Sequence, residues 1–175
     1  MLVCQQTKIE CEFQLSVRSA KEMSIFKQVQ DYQGQEVKGA WDPTLGHVLQ
    51  VRDNNFDQPQ FLVENGPIKQ KVCISCQASR KFCMQLRLHQ LEGMTQAGAR
   101  VFTSKDCGVA IAKSSFYSST EVDFEVELEA HGKYVLLSCG KAPKRSKKKK
   151  LRCEFSLKIL SVEEVAVTVI DDQLG

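Results

Sequence analysis

Val122, Phe124, Val126 and Leu128 alternate with Asp123, Glu125, Glu127 and Glu129, so one face of this stretch suits a core and the other suits water. That period of two predicts a half-buried antiparallel strand, and it recurs along the chain. Val72, Ile74 and Cys76 alternate with polar neighbours, as do Phe82, Met84, Leu86 and Leu88, and the two sets predict a hairpin, 71–77 with 81–89, turning at Ala78-Ser79-Arg80. Further strands are predicted at 11–17, 56–63, 134–137, 155–159 and 165–169, with short apolar runs at 100–103 and 109–112. Pro59 cannot donate to a ladder, which places it at an edge or at the first residues of its strand. Residues 20–40 are polar and predict a connector with one helical turn near 23–29. No sustained 3.6-residue periodicity appears, so the expected fold is an all-β antiparallel sandwich of about eight strands. Its core is expected to hold Trp41, Phe61, Ile74, Phe82, Met84, Leu86, Phe124, Val126, Leu128, Tyr134, Phe155 and Leu157.

One segment repeats another. Cys11-Glu-Phe-Gln-Leu-Ser-Val-Arg-Ser19 shares five of nine residues with Cys153-Glu-Phe-Ser-Leu-Lys-Ile-Leu-Ser161. Two readings stand: the chain opens with the last strand of a preceding copy, or two amphipathic strands share a vocabulary. The expected organisation is a strand and linker over 1–36, a sandwich over 37–170 and a tail over 171–175.

Charge changes this picture at one place. The stretch 141–152 contains Lys141, Lys144, Arg145, Lys147, Lys148, Lys149, Lys150 and Arg152 and no acid, whereas the rest of the chain has 16 basic against 21 acidic residues. A mildly acidic body thus carries one polybasic loop, and attraction to polyanions is local to it. Three partners suit such a run: anionic lipid head groups, the nuclear-import machinery, and an acidic protein surface or nucleic acid. The absence of an aromatic residue inside it argues against stacking on single-stranded nucleic acid. A solvated linker between two strands is the plain alternative.

No run approaches the roughly 20 apolar residues that cross a bilayer, and Met1 to Glu10 lack the charged-then-apolar order of a signal peptide. The expected location is cytoplasmic, with nuclear entry through the basic run as the variant, and the eight cysteines are expected as free thiols.

Gly39-Ala-Trp41, Asn55-Phe56-Asp-Gln-Pro-Gln-Phe61, Ser114-Ser-Phe116, the acidic strand, Gly132-Lys-Tyr134-Val-Leu and Phe155-Ser-Leu-Lys-Ile159 occur in an order that resembles the calpain-type β-sandwich. That is the C2-like domain following the protease core of calpains, and the resemblance covers about residues 37–161. The chain departs from the family pattern at Thr44 to His47, at Gln58 and at Ser138-Cys139-Gly140. The terminal strand and the echoed segment look most like the atypical, PalB-like calpains, which carry such sandwiches in tandem and lack the calcium-binding helical domain. The resemblance implies a regulatory or adaptor module that packs on a protease core or on a neighbouring sandwich. Two other roles fit it: a scaffold in a protease-dead relative, and an independent lipid-binding module.

Catalysis by this chain is not expected. A cysteine-protease core needs a cysteine, a histidine and an orienting asparagine on two lobes, far more chain than is available. His47, His89 and His131 are expected on a loop, on the polar face of a strand and in a turn, as solvated or incidental residues. Cys73 and Cys76 are three apart on a strand and point to opposite faces, which suits neither zinc nor redox chemistry. Asp42, Asp53 and Asp57 in one loop region and Asp106 in another are the only carboxylates placed for C2-type calcium binding, and they serve equally as turn formers. No EF-hand pattern is present, and no cofactor is expected.

Overall fold

The computed structural model describes residues 33–45, 47, 56–91, 100–101, 103–141 and 152–170. They form an all-β antiparallel fold of eight strands: β1 (Gln33–Trp41), β2 (Gln60–Asn65), β3 (Gln70–Gln90), β4 (Ala110–Lys113), β5 (Tyr117–Leu128), β6 (Lys133–Lys141), β7 (Cys153–Ser161) and β8 (Val165–Ile170). A 3₁₀ turn at Pro43–Leu45 and a single helical turn, α1, at Ser104–Cys107 complete the described elements. The predicted strand at 11–17 and its echo lie outside the described residues. β1 begins at Gln33, inside the stretch read as connector, and runs antiparallel to β7 from Gln33 opposite Ser161 to Trp41 opposite Cys153.

The predicted hairpin at 71–89 is instead one continuous strand. The reason is visible in the phase: Val72, Ile74, Cys76, Ala78, Phe82, Met84, Leu86 and Leu88 are all even-numbered and all buried, so alternation passes through 78–82 without the reset that a turn imposes. Ala78-Ser79-Arg80 also lacks the glycine or asparagine of a tight hairpin. A register irregularity between Gln77 and Phe82 bends the strand there. Its first half lies between β5 and β7, and its second half between β6 on one side and β4 with the start of β5 on the other. The sheet order β1-β7-β3-β6-β2-β8 therefore folds back on itself through β3. Its two ends meet side by side: the Val167 N–H donates to Gln35 Oε1 at 3.1 Å, an amide standing in for a ladder bond.

The enclosed core centres on Trp41, which stacks on Phe82 at 5.0 Å and packs against Phe155 at 4.4 Å. Its Nε1–H donates to the Ser138 carbonyl at 2.7 Å, so the indole enters the core with its polar group satisfied. Gly140 makes the fit, because a Cβ there would lie 2.7 Å from Trp41 Cγ and 2.8 Å from Phe82 Cε1. The expected core residues are buried with two exceptions. Phe124 and Val126 are only partly buried, because β5 has β3 as its neighbour and nothing pairs with its outer edge among the described residues.

A second, smaller cluster lies on the outer face of β2 and β6, where Leu62, Val135, Leu137 and Cys139 are covered by Phe56, Val101 and Cys107. Gln58 and Gln60 hold this cover in place, and both are completely buried. Gln60 Nε2 donates to the carbonyls of Phe56 and Val101, and its Oε1 accepts the Val101 N–H at 2.9 Å. Gln58 Oε1 accepts the Gly140 N–H at 3.1 Å. Pro59 directly precedes β2, the second of its expected positions, and its carbonyl accepts the Ser138 N–H. The run 100–103 shows no strand among its described residues, since Val101 is held by Gln60 rather than by a ladder. At the far end Tyr134 Oη accepts the Glu129 N–H at 2.7 Å and pins the turn between β5 and β6.

Candidate functional site

The bend of β3 assembles a cationic pole. Cys83 lies opposite both Ser118 and Lys141, and Ala78 lies opposite Phe155, so the end of β6 and the start of β7 flank Ser79-Arg80-Lys81. Arg80 and Lys81 are exposed there, beside the two described ends of the polybasic stretch, Lys141 and Arg152. Lys144, Arg145, Lys147, Lys148, Lys149 and Lys150 lie outside the described residues. Arg80 Nη2 donates to the Arg152 carbonyl at 2.6 Å, tying the stem of the loop to the bend. The Arg152 guanidinium approaches Glu154 at 3.4 Å and Asp42 at 3.9 Å, while Lys141 Nζ stands 5.8 Å from the centre of the Phe116 ring. Arg80 and Lys81 were missed in the sequence, although a basic pair interrupting an otherwise regular alternation was the signal available.

Beside the stem an open groove of about 1140 Å³ runs over β1, β7 and the bend, with Lys38, Gln77, Thr120, Arg152 and Glu154 among its walls. Asp42 closes one end in an Asx turn: its Oδ1 accepts the Thr44 N–H at 2.9 Å and the Thr44 hydroxyl at 2.7 Å. These bonds, with Arg152 nearby, hold the Asp42 carboxyl below its ordinary range. Asp106 is likewise engaged, accepting from Thr103 N and Oγ1. Asp53 lies outside the described residues, and among the described residues no group of three His, Cys, Asp or Glu converges as a metal site would require.

The histidines correct the expectation of solvated side chains. His131 is exposed in a turn, at φ 56°, but His47 and His89 are buried. His89 is on the outer face of β3, and that face is roofed by Phe56, whose ring is 5.6 Å away, and by the segment holding Gly108. Its Nδ1–H donates to the Gly108 carbonyl at 3.1 Å, and burial, with Arg87 and Lys113 adding to it and the Gly108 bond opposing it, lowers its pKa below the ordinary histidine range. Arg87, next on that face and also fully buried, donates from Nε to Cys139 Sγ at 3.1 Å and stands 5.9 Å from the Phe56 ring.

Cys73 and Cys76 diverge as expected, Cys73 half-buried on the outer face and Cys76 sealed in the core. Burial pushes the Cys76 thiol up from about 9 to about 12, with the Ser138 hydroxyl acting against the shift. A raised native pKa means that this contribution to stability is complete below about pH 9 and is lost as pH rises towards 12. Urea stability should therefore decline from about pH 9 upward, less steeply in Cys76→Val, and at pH 8 iodoacetamide should label Cys73 and Cys83 well before Cys76. Equal labelling rates would show that the core opens freely.

No protein-family model matches the chain, and no curated protein sequence matches it. Solved structures similar to it include the pre-peptidase C-terminal domain of collagenase from Bacillus anthracis, 14% identical over 72% of this chain and 88% of that one, with a TM-score of 0.42. Another is PliG from Aeromonas hydrophila, a periplasmic lysozyme inhibitor of g-type lysozyme, 12% identical over 78% and 92% of the two chains, with a TM-score of 0.38.

Proposed function

We propose that this chain is a non-catalytic regulatory or adaptor sandwich of a calpain-like cysteine protease, which presents a basic pole to acidic phospholipid. The observation that carries the reading is the gathering of Arg80 and Lys81 beside Lys141 and Arg152 by the bend of β3. Lys141 and Arg152, the described ends of the polybasic stretch, are thereby joined by two further cations, with Arg80 bonded to the Arg152 carbonyl. The calpain part of the reading rests on the sequence resemblance, and it is supported by the roles of the resembling residues. Trp41, Gln60 and Tyr134 are all buried and all bonded to backbone, as residues that define a fold should be.

Each basic residue near an anionic surface contributes on the order of 1 kcal/mol, and that attraction is screened as the Debye length falls from about 10 Å at 0.1 M salt to about 3 Å at 1 M. The purified chain should co-sediment with phosphatidylcholine vesicles containing phosphatidylserine at low salt, and not with phosphatidylcholine alone. Failure to bind the anionic vesicles at low salt would overturn the membrane reading and leave an acidic protein as the partner to seek.

A further inference from the structure

Three of the exposed large apolar side chains fall between Val109 and Phe116: Val109 at 86% exposure, Ile111 at 45% and Phe116 at 41%. Single exposed apolar residues are ordinary, but these three bracket one short edge strand and adjoin the cationic pole. β4 pairs Leu88 with Ala112 and then His89 with Ala110, so Ile111 is the extra residue of a bulge and is turned outward.

The support of Phe116 is firm. Ser114 donates its N–H to the Leu86 carbonyl at 3.0 Å, accepts the Leu86 N–H on its hydroxyl at 2.9 Å, and accepts Gln85 Nε2 on its carbonyl at 3.1 Å. Three bonds to β3 thus hold the chain two residues before an aromatic ring that faces solvent. Lys141 flanks that ring, Lys113 ends β4 two residues after Ile111, and Lys81 lies two residues before Cys83, the partner of Lys141. The acids of β5 begin further along, with Glu121 opposite Gln77 and Asp123 opposite Ser75.

We propose that this face is the part of the protein that enters an anionic bilayer, Phe116 and Ile111 reaching the acyl boundary while Lys81, Lys113 and Lys141 meet phosphate. The inference rests on the phospholipid reading above and adds to it a site and an orientation. Exposed apolar side chains with Lys141 against one of them and Lys81 and Lys113 on the adjoining strands match the bilayer interface, where an apolar layer underlies an anionic one. The two contributions differ in a measurable way, because salt screens the charges but leaves apolar burial untouched.

The test uses the full chain on phosphatidylcholine vesicles with and without phosphatidylserine. The indole introduced by Phe116→Trp should shift its emission to the blue on the anionic vesicles and be quenched by brominated acyl chains, while Trp41, buried in the core, is not quenched. Phe116→Ala should weaken binding about tenfold and Ile111→Ser by a similar factor, with the melting temperature held. The loss should persist at high salt. Binding with no blue shift and no loss in either variant would overturn the insertion and leave a purely electrostatic contact standing. No binding of the wild-type chain at low salt would remove the underlying reading, and this one with it.

Discussion

Trp41→Ala is expected to cost about 3–5 kcal/mol, a large share of the roughly 5–15 kcal/mol that holds a domain together. The indole is wholly buried, is flanked by Phe82 and Phe155, and closes over Gly140, so its removal leaves a void whose walls cannot collapse without shifting three strands. It also strips the Ser138 carbonyl of its donor. For a domain of this size the melting temperature should fall by roughly 2–4 °C for each kcal/mol. Phe124→Ala is the internal comparison, and a cost under about 2 kcal/mol is expected because that ring is only partly buried on an edge strand. Urea unfolding of both variants checks the pair. If Trp41→Ala cost no more than Phe124→Ala, the aromatic centre of the core would be misplaced.

Changing Lys147, Lys148, Lys149 and Lys150 together to glutamine is expected to lower affinity for phosphatidylserine vesicles by up to about a thousandfold. Four residues at about 1 kcal/mol each give about 4 kcal/mol, which converts to roughly that factor. Melting temperature should barely move, because four like charges in sequence contribute repulsion rather than packing. Residual binding should come from the remaining basic residues, Arg80, Lys81, Lys141, Lys144, Arg145 and Arg152, together with Phe116 and Ile111, and its charge-dependent part should weaken with salt sooner than in the wild type. Unchanged vesicle binding would move the contact to another surface.

Alternation revealed the strands because burial of one face is what their stability depends on, and Val122 to Leu128 or Phe155 to Ile159 announce it residue by residue. It also contained the continuity of β3, but Ala78-Ser79-Arg80 read as a turn because exposed polar residues mark a bend and a hairpin alike. What alternation cannot report is which outer faces will be roofed. His89 and Arg87 stand at polar positions of their strand and are buried where Phe56, and over His89 the segment of Gly108, fold over them from other parts of the chain. The partial exposure of Phe124 escaped for a related reason, since edge or centre is decided by neighbours far away in sequence. The basic ends of the site, Lys141 and Arg152, were legible as charge, whereas Arg80 and Lys81 joined them only through register.

The pairing of Gln33 with Ser161 has a consequence for synthesis. β1 is the first described strand to emerge, and among the described strands it pairs only with β7, which precedes β8. At about 5–20 residues per second, that partner follows roughly 6–25 s later on the ribosome. Throughout that interval Trp41 lacks the Phe155 side of its pocket, and the first half of β3 has β5 but not β7 beside it. A nascent domain of this design stays unfinished until β7 has been made, so a chaperone that shields β1 and β3 during that interval should raise its yield.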